Sequence, residues 1–335
     1  MLSQASKDYF YKLYVLHSHN ISAQSQQKLQ ESIREFPNAS LEFIDKGSYY
    51  DALWEGVGNK SHFSKDVFYK LSIASSFPSY QKVLVTDVDV VWRGDISRLF
   101  SLLALEEDYY IGGFDAPLLD EDCPLRSFMR CYEANWSSDE IKRMVIGGGL
   151  LVCNLDKIRK DGLEARFMEF LASNASRLLQ AEQDVLNMVC YPKIKLLSKN
   201  GMVSTYFWEI YDRPSRLDGA TWRREDIELA LCKPVQVHYA GRDKPWRVFN
   251  TMKANWWFEA LAKTDYLDEW LDTTYKDFYR YKSFYDTYAS GEVFPPFKRL
   301  LRVGRLFELS KRRGILRVRI LNIKLYLDFS WSFKR

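Results

Sequence analysis

The chain has 335 residues, 47% of them apolar and 27% charged, with 48 Lys/Arg against 44 Asp/Glu for a net charge of +4. This composition excludes a disordered tail, a collagen-like fibre and a coiled coil, and no run of 18 apolar residues offers a membrane-spanning helix. Single cores stop growing at roughly 250–300 residues, so the length fits one large α/β domain with an appendage, or two domains.

In chain order, Tyr11–His17 reads as a buried strand, Ser25–Ile33 as a helix and Leu41–Asp45 as the next strand. Lys65–Phe77 has helical spacing and stops at Pro78, because the residue before a proline disfavours the helical region. Lys82–Thr86 is an apolar strand that runs straight into Asp87. Tyr109–Gly113 and Gly149–Cys153 follow as strands, Asp156–Ser173 and Glu182–Val189 as helices, and Val235–His238 closes the series. Strands alternating with helices predict an α/β fold, a mostly parallel sheet with helices on both faces. In such sheets the ligand lies at the carboxyl ends of the strands. Pro295-Pro296 is the one strong break, and it separates a domain at 1–294 from a C-terminal segment at 297–335.

That segment carries the charge. Between Phe297 and Arg335 stand 12 Lys/Arg against Glu308 and Asp328, net +10, which leaves 36 basic and 42 acidic residues, net −6, in the other 296. A nucleic-acid-binding domain is normally basic over its body, so no nucleic-acid partner is expected. From Phe297 to Arg313 the spacing predicts an amphipathic helix, with Phe297, Leu300, Leu301, Val303 and Phe307 on one arc. Arg317–Phe329 then alternates like a strand, and a parity change at Leu321 marks a bulge or turn. Apolar residues beside cations suit an anionic membrane surface, where each cation contributes about 1 kcal/mol before screening. A basic appendage packed on the main domain has the same composition. Five scattered cysteines without a C-x-x-C pair, and a start without an apolar leader, read as a cytoplasmic protein with reduced thiols.

The chemistry concentrates at Asp87 and Asp89. Two carboxylates one residue apart, where a strand leaves the sheet, share a face and can converge on one hard cation that bridges to diphosphate oxygens. His238, at the end of another strand, adds an imidazole, and imidazole with two carboxylates favours Mn²⁺, with Mg²⁺ as the alternative. Gly241 permits close backbone approach to a phosphate, and Lys244 can neutralise a leaving diphosphate. A lone D-x-D also occurs as a solvated turn. It occurs too as the nucleophile motif of haloacid dehalogenase-type phosphohydrolases, whose later G-D-x-x-x-D cluster is not found in this sequence.

Four segments, V-L-V-T-D-V-D-V-V-W-R-G-D-I-S-R-L-F, I-G-G-G-L-L-V-C-N-L-D, A-E-Q-D-V-L-N and H-Y-A-G-R-D-K-P-W, resemble glycosyltransferase family 8 in order and spacing from about Tyr11 to Trp257. The resemblance implies a GT-A type fold and a retaining transfer of a hexose from a UDP-sugar to a saccharide or lipid-linked glycan. A bacterial enzyme of cell-surface glycan or lipopolysaccharide synthesis, peripheral on the inner membrane face, is the implied setting. Asp87, Asp89 and His238 match the family's metal ligands, and Gly241 and Lys244 its phosphate-holding positions. Lys70, Val88, Asp115, Gly147 and Gly148 fall on donor-binding positions, and Gln183 lies where the family approaches the anomeric carbon. Gln183, Glu182 and Lys244 are thereby the catalytic candidates. Three departures stand out: Glu182 replaces the usual Asp, Gly147 replaces the usual Asn, and the family's first strand has no counterpart. The chain therefore reads as shortened at its N-terminus by about 20 residues, and a non-catalytic sugar-nucleotide or glycan binder stays open beside the enzyme.

Overall fold

Two parallel strands begin the structure. β1 (Tyr11–His17) and β2 (Ala39–Asp45) pair in register from Tyr11↔Ala39 to His17↔Asp45, and helix α1 (Ala23–Ser32) connects them. The Ser22 hydroxyl accepts from the Ser25 N–H and so satisfies one of the helix's unpaired first-turn donors. The computed structural model describes residues 1–58, 60, 63–115, 126–204, 228, 230, 232–241, 244–246, 254–270, 298–303, 307–312, 315–320 and 323–328. They divide into two compact units, Met1–Thr264 and Asp265–Arg335.

In the first unit, α2 (Asp51–Glu55) precedes a 3₁₀ run at Lys65–Ser72 that passes into α3 (Ile73–Ser76). The helix expected over Lys65–Phe77 is thus mostly the tighter 3₁₀ form, and its five residues from Phe68 to Ser72 are all buried. Then come β3 (Lys82–Thr86), β4 (Val90–Trp92), α4 (Ser97–Phe100), β5 (Ile111–Asp115), α5 (Arg126–Asn135) and α6 (Ser138–Ile141). They are followed by β6 (Ile146–Asn154), α7 (Leu155–Lys160), α8 (Leu163–Asn174), α9 (Glu182–Cys190), β7 (Ile194–Leu196), β8 (Met202–Ser204), β9 (Gln236–His238) and α10 (Ala254–Leu261). The single helix expected over Asp156–Ser173 breaks between α7 and α8 at Gly162, whose φ of 62° is the left-handed conformation that glycine adopts without steric cost.

The strands form sheets in the orders β1-β2, β3-β6-β5-β7 and β4-β9-β8. The α/β class stands, but the sheet is mixed where a mostly parallel one was expected. β6 runs antiparallel to β3 and β5, and β4 antiparallel to β9. Parallel pairing joins β1–β2, β5–β7 and β8–β9 among the described residues. Alternation of strands and helices along a chain fixes their order, not the direction in which each strand enters.

β6 lies between β3 and β5, and Leu150, Leu151 and Val152 are fully buried. Leu151 faces the cluster that holds Leu155, Phe167, Leu171 and Val185, while Leu150 and Val152 face Leu99, Leu103 and Phe114. A strand covered on both faces reads as a continuous apolar run, and each such leucine contributes about 2 kcal/mol.

β1 and β3 each keep one free edge among the described residues. Tyr11 N–H donates to Asn38 O and Lys46 N–H to His17 O, so odd residues of β1 bond β2, and the main-chain groups of Lys12, Tyr14 and Leu16 face away from it. Asp87 N–H donates to Gly149 O and Leu155 N–H to Gln81 O, which leaves those of Lys82, Leu84 and Thr86 facing away from β6. Both strands border one segment: Tyr14 packs on Phe77 at 4.8 Å between ring centroids and bonds the Tyr80 hydroxyl at 2.7 Å.

The second unit holds an antiparallel meander of β10 (Lys298–Val303), β11 (Phe307–Arg312), β12 (Ile315–Ile320) and β13 (Ile323–Asp328). The helix expected over Phe297–Arg313 is corrected to a pair of strands. Its residues satisfy both periods, and Gly304 between the strands is the turn signal that the helical reading ignored. The strand expected from Arg317 is β12 and β13, with the parity change at Leu321 falling between them. Register aligns Leu301, Leu309, Val318 and Leu325 in one cross-strand row and Arg302, Glu308, Arg319 and Lys324 in the next. The boundary expected at Pro295-Pro296 lies outside the described residues.

Candidate metal and donor site

Two pairings assemble the site. Asp87 follows β3, and its N–H donates to Gly149 O of β6 at 3.0 Å. Asp89 precedes β4, where Val90 pairs with His238 and Tyr239 N–H donates to Asp89 O at 2.9 Å. Residues 149 positions apart thus become neighbours through one antiparallel bridge. His238 Nε2 lies 3.1 Å from Asp89 Oδ1 and 3.4 Å from Asp87 Oδ2, and one ligand atom from each of the three residues falls within 4.8 Å of the others. An octahedral cation with bonds of about 2.1 Å puts adjacent ligand atoms about 3 Å apart. The two carboxylates and the imidazole therefore fit a divalent cation in donor type and in spacing.

Two lysines orient the carboxylates. Lys70 Nζ contacts Asp87 Oδ1 at 2.6 Å, and Lys244 pairs with Asp89 Oδ2. In each aspartate the lysine holds one oxygen, and the other is turned toward the imidazole. Lys70 is buried and also donates to Glu182 Oε1 at 2.7 Å and Gly148 O at 2.9 Å. Burial disfavours its charge, but Asp87 and then Glu182 outweigh that, and the ammonium titrates above its usual range. Burial pushes Glu182 up against the pull of Lys70. Burial would also raise Asp89, yet His238 and Lys244 together hold it well below the usual carboxylate range. Lys244 donates further to Tyr239 O at 2.7 Å, and Gly241 before it has a left-handed φ of 85°.

The start of β6 is a floor of bare main chain. Gly148 N–H donates to Gln183 Oε1 at 2.9 Å, which identifies the oxygen end of that amide and leaves its NH₂ as the group directed elsewhere. A Cβ on Gly148 would stand 2.8 Å from Glu182 Oε1, while one on Gly147 would meet nothing nearer than Gln183 Oε1 at 3.8 Å. Val88, between the two aspartates, is 95% exposed, so the mouth is open beside the carboxylates.

Glu182 and Gln183 open α9 from a strained turn. Gln183 N–H donates to Gln180 O, and Ala181 holds φ 46° and ψ −119°, the first central position of a type II′ turn, which glycine normally takes. Asp184 clamps this turn: it accepts Leu179 N–H at 2.7 Å, Gln180 N–H at 3.0 Å and the Tyr132 hydroxyl at 2.5 Å. The left-handed backbone costs about 1–3 kcal/mol. Ala181→Gly removes that strain but also loses a buried methyl worth about 0.8 kcal/mol and adds about 0.5–1 kcal/mol of chain entropy. The expected net change lies between about 0.8 kcal/mol of destabilisation and about 1.7 kcal/mol of stabilisation. Ala181→Val, branched at Cβ where φ is positive, is expected to cost about 3 kcal/mol or more. Urea denaturation of both variants separates these outcomes.

Of the residues singled out in the sequence, Lys70, Asp87, Asp89, Glu182, Gln183, Gly148, His238 and Lys244 join one connected set of contacts. Asp115 ends β5, and its side chain lies outside the described residues. Sequence reading overlooked Ala181, Asp184 and Gly149. The glycine run flagged Gly149 only as part of a strand, and no local signal marks a left-handed alanine.

A family model described as Glycosyl transferase family 8 matches residues 2–249. The chain is similar to glycosyltransferase GlyE of Streptococcus pneumoniae serotype 4, 23% identical over 237 residues, 69% of this chain and 49% of GlyE. Among solved structures it is similar to the bifunctional glycosyltransferase WbbM, with a TM-score of 0.61 and 19% identity over 81% of this chain and 47% of WbbM. It is also similar to the galactosyltransferase LgtC in complex with donor and acceptor sugar analogues, with a TM-score of 0.56 and 16% identity over 79% of this chain and 89% of LgtC. The chain spans about half the length of GlyE and of WbbM. Its fold is of the GT-A type that these structures share.

Proposed function

Because the chain belongs to glycosyltransferase family 8, we propose that it is a metal-dependent, retaining hexosyltransferase that moves a hexose from a UDP-sugar to a hydroxyl of a saccharide or lipid-linked glycan. The observation that carries this reading is the convergence of Asp87, Asp89 and His238, flanked by Lys70 and Lys244, at the carboxyl end of β3. A divalent cation bound by those three residues, Mn²⁺ in preference to Mg²⁺ given the imidazole, supplies positive charge against the donor's diphosphate. The chain's own groups do the remaining work. Lys244, with the left-handed Gly241 before it, offers a second cation to the departing diphosphate. Lys70 holds Asp87 and Glu182 in fixed positions. Gln183 anchors its oxygen on Gly148 N–H and so presents a hydrogen-bond donor to the sugar, not a nucleophilic oxygen. Asp115 remains a candidate contact to the donor sugar, as the family motif implies.

The basic C-terminal segment supports a setting. No helix among the described residues is long and apolar enough to cross a membrane, and the 12 Lys/Arg against two acids between Phe297 and Arg335 support peripheral contact with an anionic inner-membrane surface, consistent with lipopolysaccharide or other cell-surface glycan assembly from the cytoplasm. A binder without turnover is the second reading, favoured by the lysine contacts on both aspartates and by Gly147 and Glu182.

Purified protein with Mn²⁺, offered a panel of UDP-sugars and saccharide acceptors, is expected to release UDP from a hexose donor, faster with acceptor. Donor binding by calorimetry without turnover of any sugar would support the binder. Neither binding nor turnover would overturn both readings.

A further inference from the structure

We propose that Gly149 is a positioning residue for the Asp87–Asp89–His238 cluster, because its main chain holds one member and the space of its missing side chain seats another. This deepens the reading of that cluster as a metal site and rests on it. The carbonyl of Gly149 accepts the N–H of Asp87 at 3.0 Å and so fixes where the first aspartate leaves β3. On the same residue, an added Cβ would stand 2.4 Å from His238 Nδ1 and 2.6 Å from its Cε1. Carbon and nitrogen do not approach that closely, so the imidazole lies in the volume that any other residue would fill.

The ring lies in a confined place. β9 is held on both sides, with His238 opposite Val90 of β4 and Ser204 of β8. The Met202 sulfur lies 3.3 Å from the same added Cβ. With its Nδ1 edge against Gly149, the ring directs Nε2 toward Asp89 and Asp87, at 3.1 and 3.4 Å. Asp87 follows β3 of one sheet, β3-β6-β5-β7, and His238 ends β9 of another, β4-β9-β8. Gly149 meets both residues. Gly147 offers a contrast on the same strand, because its added Cβ meets only Gln183 Oε1, at an ordinary 3.8 Å.

Gly149→Ala tests this in the full chain, with His238→Ala and the double variant completing a cycle. Mn²⁺ binding, read by the electron paramagnetic resonance of free metal, is expected to weaken at least tenfold in Gly149→Ala. It should weaken no further when Gly149→Ala is added to His238→Ala, because the colliding ring is then gone. Full additivity, or wild-type affinity in Gly149→Ala, overturns the proposal. A second readout needs no metal. Carbethoxylation of His238, followed by peptide mass, is expected to be slow in the wild type, where the residue is 8% exposed, and at least tenfold faster in Gly149→Ala. Equal rates overturn the positioning role. Wild-type protein that binds no Mn²⁺ while the carbethoxylation rates still differ would overturn the metal reading alone. If Gly149→Ala does not fold, recovery of folding in the double variant supports the collision, and no recovery refutes it.

Discussion

Asp89→Asn is expected to lower turnover of the preferred UDP-hexose by about 10³-fold at saturating Mn²⁺. The substitution keeps the shape of the side chain and removes its charge. Lys244 keeps its bond to Tyr239 O and Tyr239 N–H its bond to the Asp89 carbonyl, so the local fold survives. What is lost is one of two anionic ligands facing His238. A single preorganised charge contact of this kind is worth about 10²–10³ in rate, and a bound cation supplies several kcal/mol of charge stabilisation, at about 1.4 kcal/mol per tenfold. Initial rates of UDP release, measured beside Mn²⁺ affinity, check this. A loss under tenfold with unchanged affinity would remove Asp89 from the ligand set.

Lys70→Met is expected to destabilise the protein by about 3–5 kcal/mol. Lys70 is buried with Glu182, and it is the cation placed between that carboxylate and Asp87. Methionine fills much of the volume of the lysine stem, so the cost comes from two acids left facing each other in a poorly solvated place. Breaking a buried ion pair by removing one partner has that magnitude. Urea denaturation gives the number, and adding Glu182→Gln is expected to recover much of the loss. A loss below about 1 kcal/mol would mean that the contact behaves like a surface ion pair.

Much of this arrangement was legible in one sequence because its strands are short apolar runs with abrupt ends. Lys82–Thr86 reads as a strand, and Asp87 at its end reads as a site, from local pattern alone. The chain order of the motifs likewise identifies the family. Strand direction was not legible: the mixed sheet depends on how β6 and β4 meet partners remote in the chain, and no periodicity records that. The basic tail misled for a different reason. Leu300, Leu301 and Val303 suit a helical arc as well as a strand, and only the pairing of β10 with β11 selects the period of two. Close approach was the third illegible quantity. Nothing around Gly149 or Ala181 distinguishes a glycine with a ring pressed on it, or an alanine in a glycine's conformation, until remote residues are in place.

The bare edges of β1 and β3 set a limit on how this protein behaves in solution. Among the described residues, six present peptide groups with no ladder partner, and such edges can accept an extended chain. An extended segment added to the β3 edge would lie beside Asp87, so the first acidic residue of the site stands where the sheet can still grow.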